Sequence, residues 1–172
     1  TSLDSWGRIV KRFVDIFGSL FGIVLFSPVM IVTAFAIKWD SKGPILADIP
    51  ERAGQYGKPF RFLKFRSMYV GAHKDQVKLK SERDGLFKLD KDPRITKVGA
   101  FIRKWSIDEL PQFFNVLVGN MSLVGPRPHY TYEYEEHHKR VLALKPGITG
   151  MGQVSGRSDL SFDDEVKLDL YY

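Results

Sequence analysis

From Ile16 to Ile37 the chain reads IFGSLFGIVLFSPVMIVTAFAI, 22 residues without a charged side chain. A helix needs about 20 apolar residues to cross the hydrocarbon of a bilayer, so this run is long enough for a membrane segment. A core helix of that length with no polar face would be unusual in so small a chain. The run is also too long for a signal peptide and lacks a small-residue cleavage site. Ser27 and Pro28 stand near its middle. Proline there removes a backbone hydrogen bond and crowds the preceding turn, and the Ser27 hydroxyl can serve the freed carbonyl. Arg8, Lys11 and Arg12 precede the run, while Lys38, Lys42, Arg52 and Lys58 follow it. Basic flanks favour the cytoplasmic side of a membrane, and here both flanks are basic. The pattern predicts a re-entrant helix over 13–39 that dips in, breaks at Ser27-Pro28 and returns to the same face. A kinked spanning helix is the alternative.

The remainder is sized for a single domain over 1–172, since the chain is 44% hydrophobic and can bury a core of its own. Numbering begins at Thr1 without an initiator methionine, as the C-terminal part of a longer membrane protein would. There is no cysteine, which excludes disulfides and thiolate metal sites and fits an intracellular setting. Lys plus Arg number 26 against 20 Asp plus Glu, a net charge of +6, and this favours an anionic partner. No internal repeat, P-loop, G-x-G-x-x-G or nucleic-acid motif is present.

After the apolar run, GPILADIP (43–50) and PFRFLKFRSM (59–68) read as two short strands around the turn ERAGQYGKP. Residues 71–91 are highly charged and read as a solvated helix and loop, and DPRITKVGAFIRKWS then leads into a basic, partly apolar helix. The expected fold class is therefore α+β, mostly helical, with a small β-hairpin or sheet. His137 and His138 are adjacent and would point to different faces of a helix, so a solvated helix explains them better than a metal site; His73 and His129 are isolated.

In SIDELPQFFNVLVGNMSLVGPRPH (106–129), Leu110, Phe113, Phe114 and Leu117 recur at helical spacing. Asp108 and Glu109 stand at the start of that helix. Ser106 and Glu109 match the S-x-x-E capping box. Pro111 conflicts with it, because with Ser106 as cap the proline falls inside the helix. Starting the helix at Asp108 places Pro111 in the first turn and leaves the Asp108 carboxylate one capping donor short, so capping and chemistry both remain open. Further on, Pro126 and Pro128 rigidify a corner that presents Arg127, whose guanidinium matches phosphate oxygens in bidentate geometry. The glycine-rich KPGITGMGQVSGR that follows ends in Arg157.

In order along the chain, KRFVDIFGS, the Ser27-Pro28 pair, SKGPI, KFRSM, DPRITKVGAFIRKWSIDELPQFFNVLVGNMSLVGPRP, PGITGMGQVSGR and LDLYY resemble the bacterial sugar transferase family. These are monotopic polyprenyl-phosphate phosphoglycosyl transferases. The chain departs from the family at Pro50, where a glutamine usually precedes the Glu51-Arg52 turn. The resemblance implies a re-entrant helix that enters and leaves on the cytoplasmic face of the bacterial inner membrane. It implies transfer of a sugar-1-phosphate from a UDP-sugar to polyprenyl phosphate with Mg2+, releasing UMP. Asp108 would be the nucleophile, with Glu109 beside it at the magnesium site. Lys64, Arg66 and Arg127 are the expected phosphate contacts, followed by Arg94 and Arg157, and Asp169 in LDLYY matches a family position without an assigned role. The rival readings are direct transfer, with Asp108 and Glu109 only as metal ligands, and a non-catalytic basic module anchored to the membrane. Nucleic acid is not an expected partner; a dimer is allowed, and neither the sugar nor the glycan pathway is specified.

Overall fold

A computed structural model of the chain describes residues 5–72, 92–130, 141–155 and 162–169. Arg157, His73, His137, His138 and the charged stretch 73–91 lie outside the described residues. The described chain is mostly helical with two small two-stranded sheets, in keeping with the expected class.

Helix α1 spans Ser5–Asp40, 36 residues, and is long and apolar enough to cross a membrane. It runs through Ser27 and Pro28 without interruption, so the predicted break is instead an interior proline in a continuous helix. An interior proline costs about 3 kcal/mol, which the other bonds of so long a helix can absorb. Asp15, Ser19 and Gly22 form one buried stripe on α1, and Met30, Thr33 and Ile37 form another. Phe13, Phe17, Phe21, Val24, Val32, Phe35 and Trp39 are exposed, an apolar surface larger than soluble proteins usually leave bare.

The chain packs as two compact units, 1–25 with 50–62 and 112–172, and 26–49 with 63–111. Because the units interleave along the sequence, no linker marks them. The second predicted strand, 59–68, is accordingly divided between them, and part of the predicted turn 51–59 becomes strand. In the first unit β1 (Arg52–Ala53) pairs antiparallel with β2 (Pro59–Phe60), across a turn that holds Tyr56 at φ 59°. In the second, residues 45–47 meet 64–66 through Ala47 N–H to Lys64 O (2.8 Å) and Arg66 N–H to Ile45 O (2.8 Å).

The first unit is built around Phe60, Val116 and Met121, with Phe62, Leu123 and Ile148 against them. Helix α3 (Gln112–Val118) leads to β3 (Ser122–Val124), which pairs in parallel with β4 (Gly147–Thr149). The predicted apolar face of α3 is only partly the one it buries, since Phe113 and Leu117 are half-buried. Gln112, Asn115 and Val116 are buried while Phe114 is exposed. Asn115 faces inward because its Nδ2 donates to Arg61 O (2.9 Å), a bond that a hydrophobic residue could not make. Polar side chains also fasten α1 here: Arg12 donates to the carbonyls of Val116 and Leu117 at 2.8 Å, at the end of α3. Asp15 accepts from the Ser122 hydroxyl and the Leu123 N–H, both at 2.9 Å. Helices α4 (Met151–Ser155) and α5 (Phe162–Asp169) complete this unit.

In the second unit, residues 64–69 run between two partners. One edge meets 45–47, and the other meets Arg94–Thr96 through Tyr69 N–H to Arg94 O (2.9 Å) and Thr96 N–H to Ser67 O (3.1 Å). Helix α2 (Lys97–Lys104) starts at Thr96, whose side chain accepts from the Gly99 N–H at 2.9 Å, a standard N-cap. It buries Gly99 and Ile102.

Candidate active site

Asp108 occupies a one-turn 3-10 helix, Ile107–Glu109, two residues beyond the end of α2. The capping box is not formed: Ser106 is left-handed (φ 56°, ψ 21°) and makes no side-chain cap bond. An N-cap needs extended backbone, which Ser106 does not have. Helix α3 begins only at Gln112, directly after Pro111, where the missing N–H costs nothing. The Asp108 carboxylate is therefore not spent on a helix end in the way the S-x-x-E spacing suggests.

Instead it meets Lys64. Lys64 Nζ lies 2.9 Å from Asp108 Oδ2 and 3.3 Å from Glu109 Oε1, so one ammonium serves two neighbouring carboxylates. The backbone enforces this meeting, because the N–H of Phe65 donates to the Asp108 carbonyl at 2.9 Å. Asp108 is only 3% exposed. Burial pushes its carboxyl above the usual aspartate range; the Lys64 charge and hydrogen bond oppose that shift, and the Glu109 charge adds to it. Among the described residues, Asp108 thus has a desolvated carboxylate paired with Lys64 and weakly helped by the Arg103 charge, and Glu109 offers a more accessible carboxylate next to it.

Two of the expected phosphate contacts have other work. Arg66 is buried, and its guanidinium donates to Pro44 O (2.6 Å), Ser41 Oγ (2.7 Å) and Ser41 O (2.9 Å). It clasps the chain just past the end of α1. Arg94 is buried too, holding Asp92 through Nη2 at 2.6 Å and Nε at 2.9 Å, and Ala72 O at 3.2 Å. Arg94 pulls the Asp92 carboxyl below its ordinary range, mainly through the hydrogen bond. Both arginines make internal clasps among the described residues. The sequence signal for the second was present in D-P-R, an aspartate two residues before the arginine, which favours a local turn.

In the first unit the structure brings Arg127 together with Asp169. The Asp169 carboxylate is buried and accepts from the Arg127 N–H (Oδ2, 3.1 Å) and the Gly152 N–H (Oδ1, 3.1 Å). Its position in the fold is now plain: it ties the Pro126–Pro128 corner to α4. Burial pushes this carboxyl up as well, against the two N–H bonds and the charges of His129 and Arg127. Asp15, which sequence reading did not single out, does similar work on α1; its only signal was a lone acid at the edge of an apolar run.

A family profile described as bacterial sugar transferase matches residues 6–172. The chain belongs to this family. It is 50% identical over 171 residues to galactosyl transferase CpsE of Streptococcus agalactiae, covering 95% of this chain and 38% of that protein. Against the UDP-glucose:undecaprenyl-phosphate glucose-1-phosphate transferase of Escherichia coli the identity is 41%, over 100% of this chain and 38% of the relative. An N-acetylgalactosaminephosphotransferase of Aeromonas hydrophila that acts on undecaprenyl phosphate is 40% identical, over 95% and 38% of the two chains. The chain thus spans well under half the length of these relatives. The sugars named for these relatives differ at similar identity, so membership of this sugar transferase family does not carry a choice of sugar.

Proposed function

We propose that this chain transfers a sugar-1-phosphate from a UDP-sugar to a polyprenyl phosphate such as undecaprenyl phosphate, through a covalent intermediate on Asp108. The observation that carries the reading is the buried Asp108 carboxylate paired with Lys64 at 2.9 Å instead of capping a helix. A carboxylate oxygen of Asp108 attacks the sugar-proximal phosphorus, the bond from that phosphorus to the UMP oxygen breaks, and UMP leaves with its electron pair. A phosphate oxygen of the polyprenyl phosphate then attacks the same phosphorus and displaces Asp108, giving polyprenyl-diphosphate-sugar. Splitting the transfer in this way predicts ping-pong kinetics.

Lys64 lowers the electrostatic cost of an anionic nucleophile meeting an anionic donor. Arg127 is the proposed contact for a substrate phosphate, and Asp169 fixes the backbone that presents it. The residues fit Mg2+, which is usually held by one or two carboxylates together with substrate phosphates. Among the described residues, Asp108 and Glu109 share one paired ammonium, that of Lys64, so a cation suits the two carboxylates. Mg2+ bound by Asp108 and Glu109 would neutralise phosphate charge during transfer. The exposed apolar faces of α1 support seating it in the bacterial inner membrane, with the catalytic residues on the cytoplasmic side, where a lipid phosphate is within reach.

The test is intact-protein mass spectrometry after mixing the chain with Mg2+ and a panel of UDP-sugars, without lipid acceptor. An added mass equal to one phosphosugar is expected, and its size identifies the sugar. No adduct with any donor, combined with UMP release only once polyprenyl phosphate is present, would point to direct transfer and remove the covalent step.

A second prediction concerns pH. Activity needs ionised Asp108, and Lys64 favours that ionised form. Lys64→Met raises the Asp108 pKa further, so the acid limb of the kcat/KM profile moves to higher pH. At neutral pH kcat/KM falls by about 10²-fold. An acid limb that stays in place would mean that Lys64 does not hold this charge.

A further inference from the structure

Arg66 is 5% exposed, and among the described residues its guanidinium donates to neutral acceptors: Pro44 O at 2.6 Å, Ser41 Oγ at 2.7 Å and Ser41 O at 2.9 Å. A buried charge is costly unless its hydrogen bonds are made, and each nitrogen of this guanidinium has one. The turn that supplies the acceptors is shaped around it. Gly43 stands at φ 131°, where side chains rarely go, and a Cβ there would lie 3.5 Å from Arg66 Cζ. Ser41 follows directly on α1, so the clasp joins the end of that helix to residue 66.

The second observation is what the clasped segment carries. Arg66 N–H donates to Ile45 O and Lys64 O accepts from Ala47 N–H, while Phe65 N–H, between them, donates to the Asp108 carbonyl at 2.9 Å. From this segment Lys64 reaches Asp108 Oδ2 at 2.9 Å and Glu109 Oε1 at 3.3 Å. A lysine ammonium rides on a flexible four-carbon stem, so where it comes to rest depends on how firmly its backbone is held. The charges that act on the Asp108 carboxyl come from Lys64, Glu109 and Arg103. Arg66 is not among them, so its influence on the site travels through the chain and not through its field.

We propose that Arg66 is a positioning residue for the transfer: by clasping Ser41 and Pro44 it fixes the backbone of residues 64–66 and so holds the Lys64 ammonium against Asp108 and Glu109. This rests on the Lys64–Asp108 chemistry proposed above. It adds that the turn after α1 belongs to the catalytic scaffold, with Arg66 as the link between that turn and the reacting carboxylate. A misplacement of about 1 Å at a reacting group costs up to about 10²-fold in rate, so a clasp that acts only on backbone can have a large kinetic effect.

The test is steady-state UMP release by the full chain with Mg2+, polyprenyl phosphate and the most active UDP-sugar of the panel, with a thermal melt of each variant in the same detergent. Arg66→Met should lower kcat about 10- to 100-fold while KM for the UDP-sugar stays within about twofold. Arg66→Lys should recover only part of that kcat, because an ammonium lacks the planar fork that meets three acceptors. Lys64→Met and the double variant Lys64→Met with Arg66→Met should share one kcat, since a residue that acts through Lys64 then has nothing left to position. A raised KM with kcat held would put Arg66 on a substrate phosphate. Losses that multiply in the double variant would mean that it acts apart from Lys64, and a lowered melt with kcat held would leave a structural clasp only. Each of these overturns the proposal. If Arg66→Met does not fold, Ser41→Ala takes its place: loss of the hydroxyl acceptor should lower kcat about threefold, and the loss should vanish in a Lys64→Met background. An unchanged kcat in Ser41→Ala overturns the proposal too. A normal rate in Lys64→Met alone would remove the Lys64–Asp108 reading itself, and this proposal with it, whereas a crippled Lys64→Met beside a fully active Arg66→Met sinks the positioning role alone.

Discussion

Asp108→Asn should lower kcat/KM by about 10³-fold or more and abolish the phosphosugar adduct, while the protein stays folded. The amide keeps the size and shape of the carboxylate but loses its charge, and it cannot form the acyl phosphate. Stability should hold or rise. Burial raises the carboxyl pKa in the folded state, so the folded chain binds that proton more tightly than the unfolded one. The contribution of such a group to stability is lost as pH rises through the folded value, which makes the ionised side chain a burden at neutral pH. A neutral amide relieves that burden, and Lys64 keeps Glu109 as a partner at 3.3 Å. The measurement is UMP release with UDP-sugar and polyprenyl phosphate, alongside a thermal melt in the same detergent. Loss of activity with an intact melt assigns chemistry to Asp108. A variant that unfolds would make it a structural acid, and one that retains most of its rate would exclude it as nucleophile.

Gly99→Ala should cost about 3 kcal/mol or more, at the top of the range for overpacking. That is a large share of a typical stability of about 5–15 kcal/mol. A methyl group on Gly99 would overlap the carbonyl oxygen of Ser67 and come within 2.7 Å of its carbon. Both are backbone atoms, so no side chain can rotate away. The strand must move, and Ser67 lies three residues from Lys64 on the segment that receives Asp108. Activity should therefore fall together with the melting temperature, unlike in Asp108→Asn. An unchanged melt would show that α2 can lift off the strand, and would contradict the close approach seen here.

Helix propensity alone gives the opposite sign for Gly99→Ala, since alanine is favoured over glycine inside a helix by about 1 kcal/mol. The same gap between local and tertiary information recurs elsewhere. Ser106 and Glu109 have the spacing of a capping box, yet Ser106 is left-handed and the turn is governed by Lys64, 45 residues away from Glu109 in sequence. Arg66 and Arg94 look like free cations on a basic chain, but each is folded over carbonyls or a carboxylate that only the fold brings near. On α3, Asn115 and Gln112 go inward, and hydrophobic periodicity cannot foresee a buried amide with a partner. Asp169, conversely, had no role until its two N–H donors, from Arg127 and Gly152, were seen on either side of it.

The sequence by itself determined the long apolar helix, the mostly helical α+β class, the membership of the family and the paired acids at 108 and 109. Those features are local: run length, hydropathy and a dense motif each survive in one dimension. Tertiary structure alone decided that Asp108 is buried against Lys64 and that α1 stays helical through Pro28. It also decided which arginines are clasps, and that the chain interleaves into two packing units. Each of these depends on contacts between residues far apart in the chain, where the energy of a charge or a close approach is set by neighbours that sequence order does not reveal.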